Sequence, residues 1–131
     1  MDFTRPDSPD WAPLLAAAWA ARDNAYAPYS GFRVGAALLR RDGAVVAGCN
    51  NENASYPLSL CAERTAIGAA VASGTKPGDV VALVAATEAE KLTPPCGACR
   101  QVIAEFAEQA PVLLANRHGR ALHHMEALLP H

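Results

Sequence analysis

Three cysteines in two short motifs are the feature that most constrains this chain. Cys61 begins the segment Cys61-Ala62-Glu63, and two further cysteines belong to the segment Pro95-Cys96-Gly97-Ala98-Cys99. Each motif stands where a loop-like stretch changes into a helix-like stretch, so each places cysteine sulfur near the positive end of a helix dipole. A fold that uses the three thiols together must bring two helix starts to one point.

The spacing of the cysteines favours a metal site over disulfides or a redox pair. Cys96 and Cys99 are three residues apart, so on a helical turn both sulfurs lie on one face, which suits two corners of a zinc tetrahedron. Cys61 supplies a third thiolate and leaves one zinc position open, as in catalytic sites. A redox dithiol would leave Cys61 unexplained. Cys49 is an alternative fourth ligand, but its place at the end of an apparent strand favours a buried packing residue.

Glu63 adds a proton carrier to this set. It follows Cys61 by two residues, so in a regular helix it points away from that sulfur, and we expect it not to bind the metal. A carboxylate beside a metal-bound water is suited to proton transfer. A metal ligand, one residue, a glutamate and a later Pro-Cys-x-x-Cys segment is the arrangement of zinc deaminases, including a three-cysteine variant. The motifs therefore predict hydrolytic deamination with one Zn²⁺ per chain.

Three thiolates around Zn²⁺ leave a net charge of about −1, which opposes the polarisation of water. Helix dipoles offset part of that charge. Arg64 follows the first motif, and we expect it to donate a hydrogen bond to a thiolate, a contact that tunes metal sites. Arg100, after the second motif, is a weaker candidate for the same role, and a surface ion pair is the alternative for either arginine.

Length and charge narrow the class of protein. The 131 residues make one ordinary domain, which we expect to span 1–131. The formal net charge of −2 and the lack of a basic cluster argue against binding to nucleic acid or to a membrane surface. The apolar stretch 11–21 is too short to span a bilayer and follows acidic residues, so we interpret it as an amphipathic helix rather than a signal. We expect a cytoplasmic protein with reduced thiols.

Hydrophobic periodicity and turn residues predict an α/β fold. Strands interspersed with helices, after one hairpin at Asp42-Gly43, indicate a mixed sheet of about five strands with helices on both faces, which is a three-layer α/β/α sandwich. The strand order does not follow from this pattern. The predicted helices are 10–24, 61–73 and 96–109 with a final turn at 126–129, and the predicted strands are 33–40, 44–50, 80–86, 111–115 and 120–124.

Over nearly its whole length the chain resembles the small zinc-dependent cytidine deaminases. The resemblance is carried by AYAPYSGFRVGAALL at 25–39, GCNNENASYPLSLCAERTA at 48–66, PCGACRQV at 95–102 and EALLP at 126–130. It implies the three-layer fold above, a homotetramer with sites at subunit interfaces, and conversion of free cytidine or deoxycytidine to uridine or deoxyuridine and ammonia in pyrimidine salvage. No organic cofactor is implied.

The resemblance also assigns the substrate-binding residues. It implies that Phe32 lines the pyrimidine pocket and that Asn50 and Glu52 bind the ribose hydroxyls. The Ala62 N–H would hold the base carbonyl, and the Pro94 carbonyl would receive the leaving amino group. Independently of the family, Asn50 and Glu52 alternate at a strand end, so both side chains can face one pocket.

The resemblance further implies that Glu63 meets ring nitrogen N3, takes a proton from the water that attacks C4, and delivers protons to N3 and to the amine.

The sequence departs from the family in two places. Asn51 replaces the usual aliphatic residue, and the sequence ends at Pro130-His131, where family members usually continue to a phenylalanine that reaches a neighbouring subunit's site. The second departure bears on the composite site and the substrate range.

Three other functions stay open at this point. The first is deamination of another aminopyrimidine compound, such as a blasticidin-like nucleoside. The second is editing of cytosine within nucleic acid, against which the acidic balance counts. The third is a non-catalytic, zinc-stabilised binding protein, which would hold zinc without releasing ammonia.

The ligand assignment makes a prediction about metal content. Replacing Cys61, Cys96 or Cys99 by serine should lower the zinc bound per chain, because each removes one thiolate from the coordination sphere. Cys49→Ser is the matched control and should leave the stoichiometry unchanged. Metal analysis of the purified variants checks this, and an unchanged zinc content would remove that cysteine from the ligand set.

Overall fold

The computed structural model describes residues 1–129, so Pro130 and His131 lie outside it, together with the end of the EALLP segment at 126–130. No helix within that range is both long and apolar enough to cross a membrane. The helices are α1 (Ala12–Arg22), α2 (Ala62–Ala72), α3 (Gly97–Ala107) and α4 (Met125–Leu128), and the strands are β1 (Val34–Arg40), β2 (Val45–Cys49), β3 (Val80–Thr87), β4 (Val112–Ala115) and β5 (Arg120–His123).

The five strands form one mixed sheet in the order β2-β1-β3-β4-β5. β3 and β4 are parallel, and the other neighbouring strands are antiparallel. The predicted hairpin joins β1 to β2, and Gly43 in its turn has a φ of 90°, which glycine adopts without a steric penalty. α2 connects the hairpin to β3, and α3 connects β3 to its parallel neighbour β4.

Two hydrophobic cores lie on opposite faces of the sheet, which confirms the three-layer prediction. Successive side chains of a strand point to opposite faces, and in β1 Ala36 and Leu38 belong to one core while Ala37 and Leu39 belong to the other. α1 covers the second face, and α2 and α3 cover the first. The large proportion of alanine on both faces lets the helix axes lie close to the sheet.

Most predicted boundaries are correct to within two residues, and the differences have local causes. α1 begins at Ala12 rather than near residue 10, because a 3₁₀ turn (Pro9–Trp11) comes first and is capped by the Ser8 side chain. The predicted loop 51–60 contains a second 3₁₀ turn, Tyr56–Leu58. Cys49 closes β2 only half-buried, so it is less enclosed than expected.

The second and third helices also begin one residue later than predicted. Cys61 and Cys96 each precede a helix in extended conformation, with ψ of 158° and 168°. α3 turns Ile103 fully inward, as expected, while Val102 and Phe106 are only half-buried. The two thiols therefore occupy the N-cap positions of α2 and α3, outside the regular helical geometry.

A glycine sets how closely α2 approaches the sheet. A Cβ at Gly48 in β2 would overlap the backbone of Ala66 in α2, whereas a Cβ at Gly68, on the exposed side of α2, meets nothing within 4 Å. β2 and α2 therefore pack backbone against backbone at Gly48. This contact fixes the position of the helix that carries Glu63.

We expect Gly48→Ala to lower the free energy of unfolding by about 1–3 kcal/mol, because α2 must move away from the sheet. Gly68→Ala is the matched control and should raise it by up to about 1 kcal/mol, because alanine favours an exposed helix position. Urea unfolding of both variants measures the difference. Equal effects of the two substitutions would contradict the close-packing account.

Candidate active site

The sulfurs of Cys61, Cys96 and Cys99 meet at the first turns of α2 and α3. All three lie within 4.8 Å of one another, and the Sγ atoms of Cys61 and Cys96 are 3.5 Å apart. Zinc–sulfur bonds of about 2.3 Å put tetrahedral sulfur ligands about 3.8 Å apart, so this cluster needs only small adjustments to hold Zn²⁺. Cys49 is not part of it.

The N-cap position of Cys96 changes the expected relation between the two sulfurs of the Cys-x-x-Cys segment. Because Cys96 is extended, its sulfur turns back over the start of α3 and accepts a hydrogen bond from the Cys99 N–H at 3.4 Å. Side-chain acceptors at an N-cap bind the free amides of the first turn in this way.

Arg64 and Arg100 have different partners. Arg64 Nη2 donates to Cys61 Sγ at 3.5 Å and to the Ser59 carbonyl at 3.3 Å. Arg100 donates instead to the carbonyls of Pro95 and Leu128, at 2.8 and 2.9 Å. Arg64 therefore adds positive charge directly at a sulfur, while Arg100 joins the loop before α3 to the end of α4.

The thiols are coupled in a way that suits a cation. A hydrogen bond from the Cys99 thiol, helped by Arg64, lowers the pKa of Cys61 to about 5. The same hydrogen bond, together with burial, raises the pKa of Cys99 far above its usual range. The Cys61 thiolate forms readily, and its negative charge opposes ionisation of the Cys99 thiol. A divalent cation removes this opposition, so the donor set fits Zn²⁺.

Glu63 lines the same cavity as Cys61 and Cys96 and does not belong to the three-sulfur cluster. Cys61 is extended and only Glu63 belongs to α2, so the regular helical relation assumed between the two residues does not apply. The Glu63 side chain is 5 % exposed. Burial, with a smaller contribution from the Cys61 thiolate, raises the pKa of its carboxyl to about 7, and Arg64 partly opposes the shift.

One cavity of about 520 Å³ joins the sulfur cluster to the mouth of the site. Its volume lies in the range of small-molecule sites. Nine residues were predicted as metal ligands, proton carrier or substrate-binding residues, and eight of them line this cavity: Phe32, Asn50, Glu52, Cys61, Ala62, Glu63, Pro94 and Cys96. Cys99 lies beneath them, fully buried in the first turn of α3.

The polar end of the cavity is held by backbone groups. The Asn50 amide accepts from the Val34 N–H at 2.9 Å and donates to the Phe32 carbonyl at 2.8 Å. Glu52 accepts from the backbone N–H groups of Tyr29 and Ser30 at 3.0 and 3.1 Å. The segment before β1 and the segment after β2 are therefore tied together around the two residues predicted to bind ribose.

At the deep end, Ala62 is the first residue of α2, so its N–H has no intrahelical acceptor. Ala62 and Pro94 both line the cavity. The sequence did not single out the remaining lining residues, among them Tyr29, Ser30, Tyr56 and Thr87. Tyr29 and Ser30 belong to the motif at 25–39, but their role is visible only in the structure, where their backbone N–H groups contact the Glu52 carboxylate.

Comparison with known proteins identifies relatives along most of the chain. A family model described as the cytidine and deoxycytidylate deaminase zinc-binding region matches residues 11–115. Cytidine deaminases of Halalkalibacterium halodurans and Sporosarcina psychrophila are 50% and 51% identical over 107 residues, which is 81% of this chain and 80% and 77% of theirs. The blasticidin-S deaminase of Bacillus cereus is 29% identical over 103 residues, 74% of each chain.

Solved structures give the same result. The cytidine deaminase of Burkholderia pseudomallei superposes with a TM-score of 0.88 at 48% identity, covering 91% of this chain and 95% of that one. The cytidine deaminase of Mycobacterium tuberculosis superposes with a TM-score of 0.78 at 38% identity, covering 94% and 96%. The five-stranded sheet and its helices are thus the architecture of these enzymes.

The different partners of the two arginines predict different consequences of their loss. Arg64→Gln should weaken zinc binding on the order of tenfold or more, because it removes a charged donor to a ligand sulfur. Arg100→Gln should instead lower the urea midpoint and change zinc affinity by less than about threefold, because its partners are backbone carbonyls. Chelator competition and urea unfolding of both variants measure the two quantities. An equal loss of zinc affinity would contradict the assignment.

Proposed function

The chain belongs to the cytidine and deoxycytidylate deaminase family, and from that membership we propose that it converts free cytidine and deoxycytidine to uridine, deoxyuridine and ammonia. The enzyme is a zinc-dependent hydrolase. The observation that carries the proposal is one cavity lined by two thiols of the three-sulfur cluster, by the buried Glu63 carboxyl group and by the polar residues Asn50 and Glu52.

Cys61, Cys96 and Cys99 would hold Zn²⁺, and the buried Cys99 closes the back of the site. When bound, zinc supplies a Lewis acid that acidifies water enough to make a nucleophile near neutral pH. Arg64 and the amides at the starts of α2 and α3 offset the negative charge of the thiolates. The chain's own contribution is thus a site that tolerates three thiolates and keeps their sulfurs in place.

Glu63 carries the protons. A carboxyl group with a pKa of about 7 both accepts and donates protons efficiently near neutral pH. We assign to it removal of a proton from the attacking water and delivery of that proton to N3, followed by transfer of the hydroxyl proton of the C4 adduct to the amino group on C4. A C–O bond forms at C4, the C–N bond breaks, and ammonia and the uracil nucleoside leave. The net reaction consumes one water.

The other lining residues orient the nucleoside. Phe32, 40 % exposed at the cavity mouth, offers a ring against the pyrimidine, and Asn50 and Glu52 offer polar atoms to the ribose. The N–H of Ala62, which has no intrahelical acceptor, would bind the base carbonyl, and the carbonyl of Pro94 would accept a hydrogen bond from the leaving amine. Both residues line the cavity. Proline retains its carbonyl, so this residue can serve in that role.

The alternative functions, a blasticidin-like substrate and zinc binding without catalysis, have less support than deamination of cytosine nucleosides. The blasticidin-S deaminase match has 29% identity, against 50% for cytidine deaminases over similar lengths. A purely structural zinc site has four protein ligands, and the described residues offer three. We therefore favour cytidine and deoxycytidine over a blasticidin-like substrate, and catalysis over binding alone.

We further propose a homotetramer with sites at subunit interfaces. Large apolar side chains are exposed beside the cavity, and a patch of this kind marks a protein interface. They are Tyr26, Tyr29, Tyr56, Leu58 and Leu60. A second copy that covers them would close the cavity mouth.

The three reduced thiols support a cytoplasmic location, and the release of a free uracil nucleoside supports a place in pyrimidine salvage.

The proposed reaction predicts loss of ultraviolet absorbance when the purified protein is mixed with cytidine or deoxycytidine, with ammonia released in equal amount. Glu63→Gln should retain zinc and lower turnover by several orders of magnitude, because a general acid and base is lost. Steady-state rates on a nucleoside panel, with and without a zinc chelator, measure both effects. Negligible turnover of both cytosine nucleosides by the zinc-loaded parent would overturn the proposed function, and loss of zinc from Glu63→Gln would reassign that residue.

A further inference from the structure

Ser30, in the wall of the cavity, is bonded to two groups that the proposed function assigns to substrate binding. Its hydroxyl donates to Glu52 Oε2 and accepts from the backbone N–H of Phe32 at 3.0 Å. A hydroxyl has one donor hydrogen and two acceptor lone pairs, so both bonds form at once. Ser30 thus connects the carboxylate at the ribose end of the cavity to the aromatic residue at its mouth.

The bonds of Glu52 show what Ser30 controls. A carboxylate offers about four lone-pair positions, two on each oxygen. Oε1 accepts both backbone N–H groups of the 29–30 turn, and Oε2 accepts the Ser30 hydroxyl. These contacts, the Ser30 hydroxyl foremost, hold the pKa of Glu52 below its usual value, so the group is an acceptor at neutral pH. Within residues 1–129 the lone pair left for a ligand is on Oε2, the oxygen that Ser30 orients.

The same hydroxyl fixes the backbone of Phe32. Gly31 has a φ of 68°, a left-handed conformation that lets the chain turn back so that the Phe32 N–H reaches Ser30 Oγ. On its other side, the Phe32 carbonyl accepts from the Asn50 amide at 2.8 Å. Phe32 is therefore held at both its N–H and its carbonyl, once by Ser30 and once by the second predicted ribose-binding residue.

Stability is not a sufficient reason for this arrangement. Ser30 is exposed, and water satisfies an exposed hydroxyl and an exposed carboxylate nearly as well as they satisfy each other. The consequence of the two bonds is geometric. They set the distance and angle between the Phe32 ring and Glu52 Oε2, the oxygen that has a lone pair left for a ligand. A nucleoside presents its base and its ribose hydroxyls at a fixed separation, which this pair of groups must match.

We propose that Ser30 is a positioning residue for recognition of the ribose hydroxyls, acting through Glu52 and Phe32. This inference rests on the proposed function and adds a residue to it. It assigns the preference for a hydroxylated sugar to a three-residue unit, Ser30 with Glu52 and Phe32, in which the serine need not touch the substrate.

The test compares cytidine with 2′,3′-dideoxycytidine, which lacks the hydroxyls that Glu52 would bind. Zinc-loaded Ser30→Ala should lower kcat/KM for cytidine on the order of tenfold, chiefly through KM, because a hydrogen bond to a charged group is lost. For dideoxycytidine the loss should stay below about threefold. Ser30→Thr keeps the hydroxyl and should restore most of the cytidine activity.

Ser73→Ala is the matched control, because its hydroxyl donates to the Ala70 carbonyl at 2.9 Å at the far end of α2, away from the cavity. It should leave both substrates unaffected. Equal losses for the two nucleosides in Ser30→Ala, or no loss for cytidine, would overturn the inference. If the parent turned over neither nucleoside, the proposed function would fail by itself, and titration calorimetry of the same two nucleosides against parent and Ser30→Ala would still decide whether Ser30 favours the hydroxylated sugar.

Discussion

The close approach of two helix N-termini is the constraint on which the rest of this structure depends. Cys61 and Cys96 end extended segments, and α2 and α3 start immediately after them. Three sulfurs crowd together only because free amides, a guanidinium and, in the holoenzyme, a divalent cation offset their charge. Charge repulsion that would destabilise an ordinary core is thereby confined to one point, where the connection from β2 to β3 meets the connection from β3 to β4.

The small residues of the core make that meeting possible. Alanine and glycine on the facing surfaces let α2 lie directly against the hairpin at Gly48, so its first turn reaches the cavity. Glu63 belongs to that turn, and its burial follows from the position of the helix. The same packing that stabilises the sheet therefore produces the raised pKa of the carboxyl group, which connects an ordinary feature of the core to the proton chemistry.

Sequence reasoning predicted the parts of the fold that depend on neighbouring residues. The Asp42-Gly43 hairpin, the five strands and the helices that start within one residue of Cys61 and Cys96 all follow from local patterns. The strand order did not, because β1 pairs with β3 across the intervening β2 and α2. The assumption of a helical Cys61 was wrong, because that residue is extended and only Glu63 belongs to α2. The bonds of Ser30 reach a residue 22 positions away, and no local pattern indicates them.

The double attachment of Asn50 limits how this pocket can change during evolution. Its amide must donate to one backbone group and accept from another, so aspartate would place a carboxylate against the Phe32 carbonyl, and leucine would leave both backbone groups without a partner. Adaptation to a new sugar is thus restricted at Asn50 and also at Glu52, whose carboxylate accepts two backbone N–H groups. It is open at Phe32, whose side chain makes no hydrogen bond. In such a scaffold, the substrate range changes first by substitution of side chains that form no hydrogen bonds to the backbone, because their replacement does not destabilise the fold.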